Sequence, residues 1–205
     1  QTHMAELARH YHASAQKSKA SADYQQAAQW YRDYLAAFPD DAQAAQNNFL
    51  LAELLFEDAQ FAAATTEYEK TAYDYPVHAA SADAGYVALL AYAQQQRQAS
   101  GAELPALQQA GVASALRFVQ TFGSDARAAP VLADAAQSLY AMKDPQQAAT
   151  VAQQVLDLQP AAPDAQRRVA WTVLAHTRFE AGAFEVAEKA YGQVLQLTPD
   201  KAAGR

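Results

Sequence analysis

The chain has 205 residues, is 51% hydrophobic, carries a formal net charge of -7 and contains no cysteine. Its Lys and Arg residues are scattered, which excludes the clustered basic face that nucleic acid needs, and the absence of cysteine excludes a disulfide framework and a thiolate metal site. No apolar run approaches the roughly 20 residues of a membrane span, and with 7 Gly, 8 Pro and few β-branched runs the composition predicts an all-α fold.

Gln1, Thr2 and His3 ahead of Met4 read as a vector remnant, so a native export signal or lipid anchor is expected to lie outside this sequence. Met4 to about Ala20 has Leu7, Tyr11 and Ala15 at helical spacing. A second helix is predicted to start within Ser21 to Asp23 and to run through Tyr31, Tyr34, Leu35 and Phe38. It stops at Pro39, which cannot continue a helix, and Asp40 and Asp41 favour the next helix N-terminus. Gln43 to Asp58 follows, with Leu51, Ala52 and Leu55 as its buried stripe, and then Phe61 to Tyr75 with Ala64, Tyr68 and Ala72. These two helix pairs superpose: Tyr24 on Phe61, Ala27 on Ala64, Tyr31 on Tyr68 and Pro39 on Pro76, each 37 residues later, the signature of a solenoid.

The third pair is irregular. Ala79 to Gln98 is predicted helical, an insertion with Gly101 and Pro105 interrupts, and Leu107 to Phe122 resumes. Its ending, Phe118 to Asp125, matches Tyr34 to Asp41. The fourth pair carries Leu132, Ala135, Ala136 and Leu139, then Asp144 as an N-cap with Pro145 at the first helical position, then Ala148, Val155 and Leu156. Pro130 would be interior to a helix begun at Ser124, so that helix is expected to start later or kink. The fifth pair runs from Arg168 through Trp171, Ala175, Phe184, Ala187 and Tyr191 to a closing Pro199, with Lys201 to Arg205 as a tail.

In their order of bulky residue, Leu-Ala, turn aromatic, small residue, aromatic and closing proline, these units resemble the tetratricopeptide repeat. Trp171, Leu174, Ala175, Phe184, Ala187, Tyr191 and Pro199 fill every slot; Leu51, Ala52, Phe61, Ala64, Tyr68 and Pro76 fill theirs, with Asn48 where Trp is expected. The resemblance implies a right-handed α-α superhelix of about five hairpins, at about 8–41, 45–78, 79–125, 129–162 and 168–201, in one solenoid domain spanning 4–205. Repeats closed by an aromatic and a proline, as in Phe38-Pro39 and Tyr75-Pro76, are similar to those of bacterial periplasmic and outer-membrane-associated scaffolds. A periplasmic or outer-membrane setting is therefore expected, with a cytoplasmic one as the alternative.

In that family the first helix of each hairpin lines a concave groove. The groove positions map to His12 and Gln16; then Phe49, Glu53, Phe56 and Glu57; then Leu89 and Tyr92; then Gln137 and Tyr140; then His176, Phe179 and Glu180. Aromatic side chains at such positions mark interaction surfaces. Glu53 and Glu57 share a helix face, where like charges repel modestly unless a partner neutralises them, so a peptide with apolar anchors and a basic residue is the expected ligand. The carboxylate-clamping members use Lys and Asn where this chain has His12, Gln16, Phe49 and Glu53, which speaks against that activity.

His10 and His12 point to different sides of a helix, so no metal site is expected there and a surface position is. No phosphate loop, nucleophile elbow or His-Glu metal helix is found, and neither cofactor nor catalysis is expected. The leading reading is a protein-protein interaction scaffold in an envelope complex. Its rivals are a recruitment domain of a larger cytoplasmic enzyme or regulator, and a glycan- or small-molecule-binding solenoid. Self-association through uncapped solenoid ends is left open.

Overall fold

The computed structural model describes residues 2–198; Pro199 and the tail at 201–205 fall outside them. The described residues form ten helices and no strand. They divide between two compact units, Gln1–Leu107 and Gln108–Arg205. In the first unit α1 (Thr2–Ser18) pairs with α2 (Ser21–Ala37), α3 (Ala44–Glu57) pairs with α4 (Phe61–Tyr73), α2 meets α3, and α5 (Ser81–Gln98) lies on α4. Helix α6 (Glu103–Thr121) carries the boundary. In the second unit α7 (Ala128–Ala141) pairs with α8 (Pro145–Asp157), α9 (Asp164–Glu180) pairs with α10 (Phe184–Gln196), and α9 also lies on α7 and α8. The fold is an all-α solenoid of helical hairpins.

One spacing recurs through both units. Ala15 and Ala27, Ala52 and Ala64, Ala136 and Ala148, and Ala175 and Ala187 are each twelve residues apart, one on each arm of a hairpin, and none is more than 1% exposed. Small residues at such facing positions let two helices pack closely, within the roughly 8–10 Å range of helix packing. Larger apolar residues fill the flanks, among them Tyr31, Tyr34, Leu51, Leu55, Tyr68, Phe118 and Val155, all nearly fully buried.

The hairpin turns share a second device. At Ala59, Lys143 and Gly182 the backbone enters the left-handed region with φ of 57°, 64° and 75°. Each turn then closes with the same bonds: Gln60, Asp144 and Ala183 donate their amides to Leu55, Leu139 and Arg178 carbonyls at 2.9, 3.0 and 2.9 Å. The next residues start the second helices, and at the middle turn the Asp144 carboxylate accepts from the Gln147 amide at 3.0 Å with Pro145 first in the helix, as the sequence predicts.

The matching endings of the first and third pairs are also matching turns. Phe38 and Phe122 tilt against Tyr34 and Phe118 at ring distances of 5.6 and 5.5 Å. Asp41 and Asp125 accept amide bonds from Gln43 and Arg127 at 2.6 and 2.8 Å, which start α3 and α7.

Several expectations need correction. Helix α1 buries Ala5, Ala8, His12 and Ala15, while Leu7 is exposed and Tyr11 is half-buried, stacked on Trp30 of α2 at 5.9 Å. The α2 start falls within Ser21 to Asp23 as expected, with Ser21 its first residue and Ala20 an N-cap without a side-chain bond. Helix α6 begins at Glu103, four residues before the expected Leu107, and takes Pro105 into its first turn, where the missing amide has no intrahelical partner to lose. Part of the insertion is therefore helix. Pro130 occupies the same third position of α7, which starts at Ala128 and so avoids an interior proline, as expected.

Ala59 sits in the left-handed region without the freedom of glycine, a strain of about 1 kcal/mol or more, only part of which glycine's extra unfolded-state entropy offsets. Ala59→Gly is predicted to raise stability by about 0.5–1 kcal/mol in urea unfolding. A loss of stability would show that the turn is not held in this conformation in solution.

Candidate partner-binding site

Three of the groove positions on α3 meet at one buried tyrosine. Phe49 and Phe56 contact the Tyr68 ring at 5.8 and 6.4 Å, and the Tyr68 hydroxyl donates to Glu53 Oε1 at 2.5 Å. Tyr68 comes from α4 and is fully buried; burial, then the Glu53 carboxylate, pushes its hydroxyl well above the usual tyrosine range. It therefore stays a donor. Phe56 also packs edge-on against Phe61 at 5.1 Å. Phe49, Glu53 and Phe56 are half-buried and Glu57 is exposed.

Glu57, one turn beyond Glu53, is held from the other side. Gln16 Nε2 of α1 donates to its Oε1 at 2.8 Å, and the Tyr24 hydroxyl of α2 donates to its Oε2 at 3.1 Å. Both carboxylates are thus oriented by neutral donors. Hydrogen bonds to a charged acceptor contribute about 1.5–3 kcal/mol each, enough to fix rotamers, yet they leave the negative charge in place for a ligand.

His12 lies beneath this pair. It is 7% exposed, its Nδ1 is 3.2 Å from the Tyr31 hydroxyl, and its Nε2 is buried without a hydrogen-bond partner among the described residues. The surface position expected for His12 is corrected, and that for His10 stands. Burial lowers the His12 pKa and outweighs Glu57 and Glu53, which raise it. The Tyr31 hydroxyl is pushed up to about 12 by burial.

The two positions on α5 are not drawn to Tyr68. Leu89 is half-buried, and Tyr92 is tied to Glu69, its hydroxyl raised by burial first and then by that carboxylate. In the second unit the Tyr140 hydroxyl donates to Glu180 Oε1 at 2.6 Å, a bond that raises its pKa. Tyr140 also tilts against His176 at 5.6 Å, and His176 against Tyr191 at 5.8 Å. Phe179 is 55% exposed and packs edge-on against Phe184 at 5.3 Å. Gln137 is exposed on α7. A concavity between α8 and α9, of mixed polar and apolar lining that includes Thr150, Gln154, Leu174 and Arg178, reaches Glu180 but takes in none of these rings.

Reading first-helix positions alone misses Tyr68, Tyr24 and Tyr191, because these side chains come from the second helices α4, α2 and α10. The 37-residue register carried part of the signal, since it pairs Tyr31 with Tyr68 and Tyr24 with Phe61. It also misses what Asn48 does in the tryptophan slot: fully buried, it donates to the Glu67 carbonyl at 2.8 Å and to Thr71 Oγ1 at 2.9 Å, a polar clamp between α3 and α4.

No family model matches the sequence, and no curated protein matches it. Among solved structures, a crystal structure of MamA protein aligns over 100% of this chain and 97% of its own with a TM-score of 0.57 and 14% identity. A second crystal structure of MamA aligns over 88% and 92% at 0.51 and 15%. A thermophilic TPR protein of Thermus thermophilus aligns over 96% and 94% at 0.46 and 16%. At these identities the MamA likeness is one of fold.

The lowered His12 pKa makes the folded chain sensitive to acid. A group whose folded pKa lies below its unfolded value binds protons more readily unfolded, so stability is lost as pH falls below the unfolded value of about 6.5 and through the folded one. His12→Gln removes that loss. The melting-temperature gap between the parent and His12→Gln is predicted to narrow from pH 7.5 to 5; a constant or widening gap would contradict the assignment.

Proposed function

We propose that this chain, which has the fold of a tetratricopeptide-repeat protein, is a non-catalytic scaffold that binds a peptide or protein segment across the α3 face. The observation that carries the reading is the Glu53 and Glu57 pair, oriented by Tyr68, Gln16 and Tyr24 but, among the described residues, without a cation on either, beside the edges of Phe49 and Phe56. Such a surface fits a segment with a Lys or Arg to meet the carboxylates and an apolar side chain to cover the rings. Its polar groups are engaged in mutual hydrogen bonds rather than arranged as nucleophile and base, which supports binding over chemistry.

The second-unit cluster of Tyr140, His176 and Phe179 offers rings with a single carboxylate, Glu180, and serves as a further contact for the same kind of ligand. A bacterial envelope assembly is the setting favoured by the 37-residue period with its aromatic-proline endings. Fractionation of the native gene product tests that setting, and recovery in the cytosol would reject it.

Peptides selected on the full chain from a random displayed library should be enriched in a basic residue a few positions from an aromatic or Leu. Phe56→Ala and Glu57→Lys should each weaken a selected peptide at least about tenfold. Tyr68→Phe, which frees Glu53 without removing its charge, should weaken it by a smaller factor. Unchanged affinity in all three variants would reject the site.

A further inference from the structure

The turns at Ala59, Lys143 and Gly182 put three second helices in register. Tyr68, Ala152 and Tyr191 are equivalent, and so are Ala72, Leu156 and Leu195. On α4 the arc is closed: Tyr68 is 0% and Ala72 2% exposed beneath α5. On α8 it lies beneath α9, and Ala152 is 0% exposed. On α10 the same arc is open. Phe184, Tyr191 and Leu195 are 61%, 36% and 75% exposed, and α10 packs against α9 among the described residues. Residues 184, 191 and 195 fall within one narrow sector of the helix, so they form a continuous apolar strip and not scattered positions.

The equivalent covered arc shows what kind of element fits. Helix α5 lays a small-residue stripe on α4, burying Ser81, Ala84, Gly85, Ala88 and Ala91, and near its end Gln95 Nε2 donates to Thr65 Oγ1 at 2.8 Å. The α10 counterpart of Thr65 is Glu188, exposed on the same strip. A helix lying there as α5 lies on α4 would place its Gln95-equivalent against a carboxylate, where Lys or Arg fits best. The first helix of a second copy does not meet this description: at the positions where α3 buries Asn47, Leu51 and Leu54, α1 exposes His10, Ser14 and Lys17.

We propose that the Phe184-Tyr191-Leu195 strip of α10 docks an amphipathic helix of a partner protein, one with a stripe of small residues and a basic side chain placed to meet Glu188. This surface is independent of the α3 site. The test uses a fluorescein-labelled synthetic peptide with the sequence of residues 79–99 carrying Gln95→Arg, titrated with the full chain and read by anisotropy. Saturable binding is expected. Leu195→Asp, a change at an exposed position that circular dichroism should show to be folded, should weaken it at least about tenfold, and Glu188→Lys about three- to fivefold. The proposal is overturned if binding does not saturate up to the solubility limit of the peptide. It is also overturned if Leu195→Asp leaves the affinity unchanged, or if Phe56→Ala and not Leu195→Asp abolishes it. Sedimentation showing a dimer of the chain that Leu195→Asp dissolves would assign the strip to a second copy instead.

Discussion

The close approach of paired helices over alanine is the constraint on which the rest of the structure depends. Four hairpins hold two alanines twelve residues apart at essentially zero exposure, and this persists where the turn between them changes. In the α1–α2 hairpin the left-handed residue is Lys19, four residues after Ala15; in the α3–α4 hairpin it is Ala59, seven after Ala52. The turn has moved along the chain while the alanine spacing has not. Overpacking a well-filled contact costs about 1–3 kcal/mol, comparable to a whole helix cap, so the contact and not the loop fixes the hairpin. A tall side chain can be accommodated only to either side, and there the chain places Tyr31, Tyr68, Leu55 and Val155.

That arrangement makes the surfaces. Once Ala52 and Ala64 set the separation of α3 and α4, Tyr68 reaches between them to Glu53, and Phe49 and Phe56 are left standing at its edge. The α3 carboxylates then owe their geometry to neutral hydroxyl and amide donors from three neighbouring helices, and a ligand does not have to organise them. The same register repeated at Tyr191 lacks a covering helix among the described residues and leaves an apolar strip. One construction principle thus yields a polar site on α3 and, among the described residues, an uncovered apolar strip on α10.

The repeat pattern carried most of the fold. Aromatic, alanine and proline slots recur with the stacking period, so helix pairs, the Asp144 cap and the displaced start at Pro130 follow from local chemistry. Helical spacing alone did not tell which face is buried: in α1 the small Ala5 and Ala8 are buried and Leu7 is exposed. The pattern failed at Pro105 because a first-turn proline and a helix-breaking proline look alike without knowing where the helix starts. For the site, position along the first helix located Glu53, Phe56 and Glu57, but depth was illegible. His12 is buried by α2, and the tyrosines that orient the carboxylates belong to neighbours that only the folded chain brings close.

Backbone amide shifts recorded while an unlabelled selected peptide is added to the isotopically labelled full chain test the central claim most directly, because they locate the ligand without altering the protein. The account predicts that the largest changes cluster on α1 and α3 around His12, Glu53, Phe56 and Glu57, with Tyr68 responding through its bond to Glu53. Changes confined to the outward faces of α2 and α4, with Glu53 and Phe56 silent, would contradict it.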